Sequence, residues 1–497
     1  MTDSRRLGAA TVAPMVLGIG RRRMPKTGEC RKTTRCHHPT GGCRHERAHG
    51  RYAVPITTMA EGATVWDLIW ELNVIDGPFV VAVYGLAALV FLYLLFRGPG
   101  WSWVLTVIVL LIVGSLIGVA VLWIGVNVLD AFGGPVDDSA WLWVPAAFAG
   151  ITVAIWNLWY SRWWRKLIAL LAIPLFSATA AFGVNAAYGL NPTLGSMFHI
   201  STADTIDPPV PDPATIADPA EPLYATWTPP PDMPETGEVG IVQGGVPNTV
   251  SGFEARPAQI YLPPAALVTD APRLPLVVMM MGQPGDPDAS FIGEVLDDFA
   301  ADHDGLAPIA LVIDQLGDPS ADPLCLDSEL GKVESYVMQD VVPWARQRLG
   351  VLQGATFTTV AGYSNGGGCA AYFGAKYPEV FGNLLAVSPV EYAGAENPDE
   401  VLAEIFGGDR FAYDLVKPAN IMAAKAPYPD SAAVFTVGEN DLAFVSGTER
   451  LADAATAAAM QTTLFLVPGA DHDVMALTGG LEKGFDVLSP RLGLSAP

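Results

Sequence analysis

The chain has 497 residues, a formal net charge of −23 and 51% hydrophobic residues. That acidity excludes a nucleic-acid partner, which needs a basic face to meet phosphate, and the length calls for more than one domain. The averages conceal three unlike regions.

Residues 1–58 hold 12 of the 28 Lys and Arg, 3 of the 51 Asp and Glu, four of the seven His and three of the five Cys. Cys30, Cys36, His37, His38, Cys43 and His45 are metal-ligating types, but their spacing fits no paired zinc pattern. The segment is Arg-rich and acid-poor, as targeting peptides are, yet it lacks an apolar core long enough for a secretory signal. It reads as a disordered basic extension, or as sequence upstream of a start at Met59.

Four apolar runs follow, at 78–96, 101–129, 141–160 and 167–190. Each is near or above the ~20 residues that cross a bilayer. None carries a charge, and Trp101, Trp103, Trp141, Trp143, Trp159, Tyr160, Trp163 and Trp164 gather at their ends, as interfacial aromatic residues do. The expectation is four transmembrane helices over 78–190, after a short segment at 59–77. Arg97 lies in the first loop and Arg162, Arg165 and Lys166 in the third, whereas the second holds Asp130, Asp137 and Asp138 and no base. The positive-inside rule therefore puts the first and third loops in the cytoplasm, and 59–77 and everything after 190 outside. Intramembrane polar groups mark transport pathways. Only Asn127, Asn157 and Asn185, with some Ser and Thr, qualify here, so an anchor is the expected role rather than a transporter.

Residues 191–237 are dominated by Pro, Asp, Ala and Glu. Such a composition buries too little apolar surface to offset chain entropy, and it reads as a semi-rigid acidic stalk that lifts a domain off the membrane.

From 238 to 497 strand-like runs recur at 256–262, 274–281, 308–314, 356–362, 382–389, 432–438 and 462–468, with helical stretches between most of them. The clearest helix is expected at 331–349. Short buried strands alternating with helices imply an α/β domain with a mostly parallel sheet flanked by helices, whose working residues belong at the carboxyl ends of strands. Three strand ends stand out. TFTTVAGYSNGGG carries G-x-S-x-G, with Gly362, Ser364 and Gly366, between a β-branched strand and a helix. VGEND follows the strand at 432–438, and PGADHD follows the one at 462–468. Beyond residue 58 the histidines are His199 at the membrane boundary, His303 in an acidic helix end, and His472 after that last strand. The order Ser364, then Asp441 or Glu439, then His472 suits a serine nucleophile, an orienting acid and a general base. Asp441 is preferred because it stands further out from its strand. The oxyanion donors are expected from the backbone N–H groups of Asn365 and Gln283. No metal or organic cofactor is indicated.

These segments, with RPAQIYLPP and LPLVVMMMGQPG, resemble the putative-esterase branch of the α/β-hydrolase superfamily, which includes S-formylglutathione hydrolases and antigen 85 mycolyltransferases. The resemblance covers roughly 240–490, and the whole architecture looks like membrane-anchored actinobacterial hydrolases. It implies Ser364, Asp441 and His472 as triad. Met281 stands where such proteins often place a histidine, and the tryptophan that follows the triad histidine in some of them is missing. Outside the membrane Cys325 and Cys369 are expected to be bridged, and the aromatic-rich residues 390–430 to wall the acyl pocket. The expected activity is a multi-pass, membrane-anchored serine carboxylic-ester hydrolase with its catalytic domain outside the cytoplasmic membrane. Its expected substrate is an acyl ester, including lipid or cell-envelope glycolipid. The rivals are a cell-envelope acyltransferase and a catalytically silent scaffold.

Overall fold

The computed structural model describes residues 65–97, 100–128, 136–159, 161–208 and 221–497. The basic extension, its Cys and His residues and Met59 lie outside them. The apolar runs form α1 (Gly77–Leu95), α2 (Trp101–Asn127), α3 (Ala140–Trp156) and α4 (Trp163–Tyr188). Among the described residues three helices, α1, α2 and α4, are long and apolar enough to cross a membrane. The fourth of the expected set, α3, is apolar but has 17 residues and falls short of that length. It stops short because Asn157 turns its side chain back onto carbonyls, donating to Val153 at 2.8 Å and to Leu94 of α1 at 3.3 Å. Arg165 then donates to Asn157 Oδ1 at 2.7 Å and to the Tyr93 and Leu94 carbonyls at 3.0 and 2.7 Å, which satisfies acceptors that the end of α1 leaves open.

The four helices run up and down. At one end Arg97 donates to the Trp159 carbonyl at 3.1 Å, beside Arg165. At the other, the Asp137 N–H donates to Tyr188 Oη at 2.9 Å, and residues 72–74 pair with 192–194 through Leu194 N–H to Leu72 O (2.8 Å) and Val74 N–H to Pro192 O (3.0 Å). Helices α2 and α3 approach closely at Gly114 and Gly118. A Cβ on Gly118 would lie 2.6 Å from Pro145 Cα. The sequence GSLIG is the small-xxx-small spacing that lets membrane helices meet, and Thr152 Oγ1 adds a hydrogen bond across the same contact to Leu110 O at 2.9 Å.

The domain is built on one sheet. Its nine strands among the described residues are β1 (Thr205–Ile206), β2 (Glu238–Val242), β3 (Gln259–Leu262), β4 (Leu276–Met280), β5 (Ile309–Ile313), β6 (Thr358–Tyr363), β7 (Asn383–Val387), β8 (Ala432–Gly438) and β9 (Gln461–Val467). Their spatial order is β1-β2-β3-β5-β4-β6-β7-β8-β9. β3 is antiparallel to both neighbours, and all other pairs are parallel. β4 to β8 are buried along their whole length. Such strands read as continuous apolar runs because helices cover both faces of a parallel sheet. The covering helices are α5 (Ser290–Asp302), α6 (Asn365–Lys376), α7 (Val445–Ala457) and α8 (Val474–Leu488).

All seven expected strands are present, and two more precede them. β1 lies inside the segment expected to be a stalk. It pairs Thr205 with Ile241 and Ile206 with Val242 in β2. Ile206 and Leu223 are buried, Trp227 packs on the domain core, and its Nε1 donates to the Asp304 carbonyl at 2.9 Å. The stalk expectation is corrected for these described parts: a few large apolar side chains spaced among the prolines are enough to bind the segment to the sheet edge. The expected helix over 331–349 is also interrupted. Val333–Ser335 passes into a π-helical turn at Tyr336–Val341 before Val342–Arg348. Pro343 has no N–H to continue an α-helical ladder, and buried Asp340 is turned instead to the N–H groups of Val250 and Ser251 at 3.0 and 2.9 Å.

Candidate active site

Strand β6 ends at Tyr363, and α6 begins at Asn365. Ser364 between them has φ 56° and ψ −116°, a conformation disfavoured for residues with a side chain. The turn is held by Ser364 N–H donating to Val387 O at 2.9 Å and Gly366 N–H to Met281 O at 3.1 Å. Its tightness explains two glycines. A Cβ on Gly362 would collide with the Gly366 carbonyl, and one on Gly366 with the Met280 carbonyl.

The turn delivers Ser364 Oγ to within 2.9 Å of His472 Nε2, while His472 Nδ1 is 2.7 Å from Asp441 Oδ2. A carboxylate only accepts, so Nδ1–H donates to Asp441, and Nε2 keeps the lone pair that accepts the Ser364 hydroxyl proton. Asp441 is only 2% exposed. Glu439 takes no part in this chain; its Oε2 accepts the Gly469 N–H at 3.0 Å and secures the turn before His472. Asp471 Oδ1 accepts the His472 backbone N–H at 2.9 Å, and Asp473 caps α8 by accepting the Ala476 N–H at 3.0 Å. The imidazole stacks on Phe444, with ring centroids 4.1 Å apart, and on Tyr363 at 5.1 Å. Both rings restrict its tilt.

Asn365 is the first residue of α6, so its N–H has no partner within the helix. Gly282 lies beside the serine: a Cβ there would be 3.3 Å from Ser364 Cβ. The neighbouring Gln283 fixes its loop by donating from Nε2 to the Ser320 carbonyl at 2.9 Å.

Gln315 belongs to none of the sequence motifs. It is buried, and its Nε2 donates to Met281 O at 2.6 Å and to Asn365 Oδ1 at 3.2 Å. One amide thus ties together the two segments expected to supply oxyanion donors. It follows β5 at the same sheet edge as the other strand-end residues, but a neutral amide in DQLG has no sequence signature. Gln315→Met keeps its bulk and removes both bonds. Since losing a direct oxyanion donor typically costs about 10²–10³ in kcat, this indirect loss is expected to lower kcat about tenfold to a hundredfold, with KM nearly unchanged. Steady-state kinetics on a soluble ester read the split, and an equal rise in KM would mean a general loosening of the site instead.

Cys325 and Cys369 form a disulfide with Cα atoms 5.6 Å apart. It joins the loop after β5 to the second turn of α6. With the partners separated by 44 positions in the chain, cross-link entropy gives about 4 kcal/mol of stabilisation. Cys325→Ser with Cys369→Ser is expected to lower the melting temperature of the domain by on the order of 10 °C, read by calorimetry against wild type. Residues 390–425 carry short helices at Pro398–Glu404, Arg410–Leu415 and Pro418–Lys425. An open cleft of about 550 Å³ runs between the first of these and Gln283, Pro284, Asp322 and Leu324. No group of three or more His, Cys, Asp or Glu among the described residues converges as metal ligands would.

Residues 254–465 match the profile of the family described as Putative esterase. An uncharacterized protein of Corynebacterium glutamicum is 30% identical over 398 residues, covering 77% of this chain and 90% of its own. The chain belongs to the Putative esterase family. Among solved structures, the esterase domain is similar to an S-formylglutathione hydrolase from Agrobacterium tumefaciens, with 17% identity, a TM-score of 0.43, and coverage of 52% of this chain and 98% of that one. It is also similar to a ferulic acid esterase, with 14% identity, a TM-score of 0.41, and coverage of 48% and 92%.

Proposed function

We propose that this esterase is a membrane-anchored serine carboxylic-ester hydrolase working through Ser364, His472 and Asp441. The observation that carries this reading is the unbroken hydrogen-bond chain from Ser364 Oγ through the imidazole to Asp441, presented on a strained turn. Ser364 Oγ attacks the ester carbonyl carbon as its proton passes to His472 Nε2. The carbonyl electron pair moves onto oxygen, where the N–H groups of Asn365 and Gln283 receive it. As the tetrahedral adduct collapses, the imidazolium returns the proton to the departing alkoxide and an acyl-serine remains. Asp441 stabilises the imidazolium and holds its tautomer. Water, activated by His472, then releases the acid. An alcohol in place of water would give acyl transfer. Transfer is the second reading, because both reactions share the acyl-serine and differ only in what attacks it.

The apolar helices act as the anchor, with four crossings and the Arg97, Arg162, Arg165 and Lys166 end in the cytoplasm. The esterase domain then lies outside, where a disulfide such as Cys325–Cys369 persists. The test is to treat the intact protein in detergent with a fluorophosphonate, locate the adduct by peptide mass, and follow ester hydrolysis with and without an added alcohol. An adduct on Ser364 with hydrolysis supports the proposal. Ester exchange exceeding hydrolysis moves transfer forward. A folded protein that neither labels nor turns over ester is a scaffold.

A further inference from the structure

We infer that the ester acted on is an uncharged long-chain ester lying in the same bilayer that holds the helices, and that it reaches Ser364 from the membrane side of the domain. This rests on the hydrolase reading and on the helices spanning the membrane, and it adds the substrate class and its route.

Both loops of the candidate site are fastened to the eleven or so residues that follow α4. The histidine loop is fastened first. Gly189, the left-handed residue that ends α4, abuts the side chain of Val474, two residues after His472, and Leu190 packs against the domain core. The loop bearing Gln283 is fastened second. His199 Nδ1 is 2.7 Å from Asp286 Oδ2, and Arg256 joins the same carboxylate (2.5 Å) to buried Asp314 (2.7 Å). The Asp137 N–H, between α2 and α3, donates to Tyr188 Oη. Burial holds the Asp471 carboxyl above the usual carboxylate range, against the lowering effect of its bond from the His472 N–H, and the nearby charges of Asp441, Asp137 and Asp473 add to the rise. The catalytic face is thus seated on one end of the helix bundle, with no free tether between them.

That end presents apolar side chains that water leaves unsatisfied. Phe198, 61% exposed, packs edge-on against Trp70 at 6.1 Å, and Trp66 on the same short helix (Val65–Trp70) is 67% exposed. Leu442, directly after Asp441, is 84% exposed, and Met475, three residues after His472, is 46% exposed. Exposed Trp and Phe at the end of apolar helices match the residues that settle at the lipid headgroup level. The bilayer surface is the occupant that this position supplies, because Trp66 and Phe198, held together through Trp70, stand just before α1 and just after α4, whose outward side chains are apolar. Asp137, Asp471 and Asp473 lie on the same face and disfavour an anionic lipid.

The test uses the intact protein reconstituted in vesicles of a neutral phospholipid. A fluorogenic long-chain ester is placed in the bilayer at several mole fractions with its bulk concentration fixed, and a short soluble ester of the same fluorophore is measured on the same sample. The expected result is a rate that rises with mole fraction in the protein's own bilayer and is at least tenfold lower when the ester sits in separate protein-free vesicles. Phe198→Asp is expected to lower the ratio of embedded-ester to soluble-ester turnover about tenfold. An anionic ester of equal chain length is expected to be at least tenfold slower. Brisk soluble-ester turnover with no dependence on mole fraction overturns the route, and equal rates for the anionic ester overturn the charge preference. Failure on both esters overturns the hydrolase reading itself.

Discussion

Ester turnover is expected to fall by about 10⁴–10⁶ when Ser364 is replaced by alanine, with loss of all fluorophosphonate labelling at that site. The size of the effect follows from what remains. Without Oγ there is no acyl-serine, and only binding and the N–H groups around Gly282, Gln283 and Asn365 can assist water. The fold should survive, because Ser364 contributes its backbone to the turn through the bond to Val387 O at 2.9 Å, and alanine keeps that bond. The melting temperature checks this. A variant as stable as wild type that retains a tenth of its turnover would show that another nucleophile does the chemistry.

The second large effect separates two acids that are two residues apart. Asp441→Asn is expected to lower kcat about 10⁴-fold, because an amide at that position can present its NH₂ to Nδ1 and force the tautomer that cannot accept the serine proton. Glu439→Gln should change kcat less than about threefold, since its role is one hydrogen bond to the Gly469 N–H, worth about 1 kcal/mol in stability rather than in chemistry. Parallel kinetics of the two variants decide the matter. Equal losses would mean that the bond from Glu439 to Gly469, and not the Asp441 carboxylate alone, governs where His472 stands.

Much of the domain was legible in the sequence for a simple physical reason. Strands buried on both faces must be apolar at every position, so LPLVVMMM, PIALVID and AAVFTVG announce themselves, and the residues that follow them are those a parallel sheet presents at its edge. Ser364, His472 and Asp441 were singled out as candidates by position and by the scarcity of histidine. Gln315 was not, because its work is to hold a carbonyl and an amide oxygen, and nothing in its charge or spacing distinguishes it from a loop glutamine. β1 escaped for a different reason. Its two residues are too short for any periodic signal, and its pairing partner is more than thirty residues away, across a proline-rich stretch. The end of α3 depended on Asn157 meeting Arg165 and Leu94 of another helix, a contact that one helix's sequence does not contain.

The pairing of Thr205–Ile206 with Glu238–Val242 sets where the molecule can be cut. A chain begun at residue 238 would leave the outer edge of β2 with unmatched N–H and C=O groups, a template on which a second copy can pair. Such a fragment should associate edge to edge and lose both fastenings of the loops that carry the candidate site, His199 on Asp286 and Gly189 against Val474. Its activity would then report a loosened site. In building terms, the apolar helices and the esterase domain share a joist rather than a hinge.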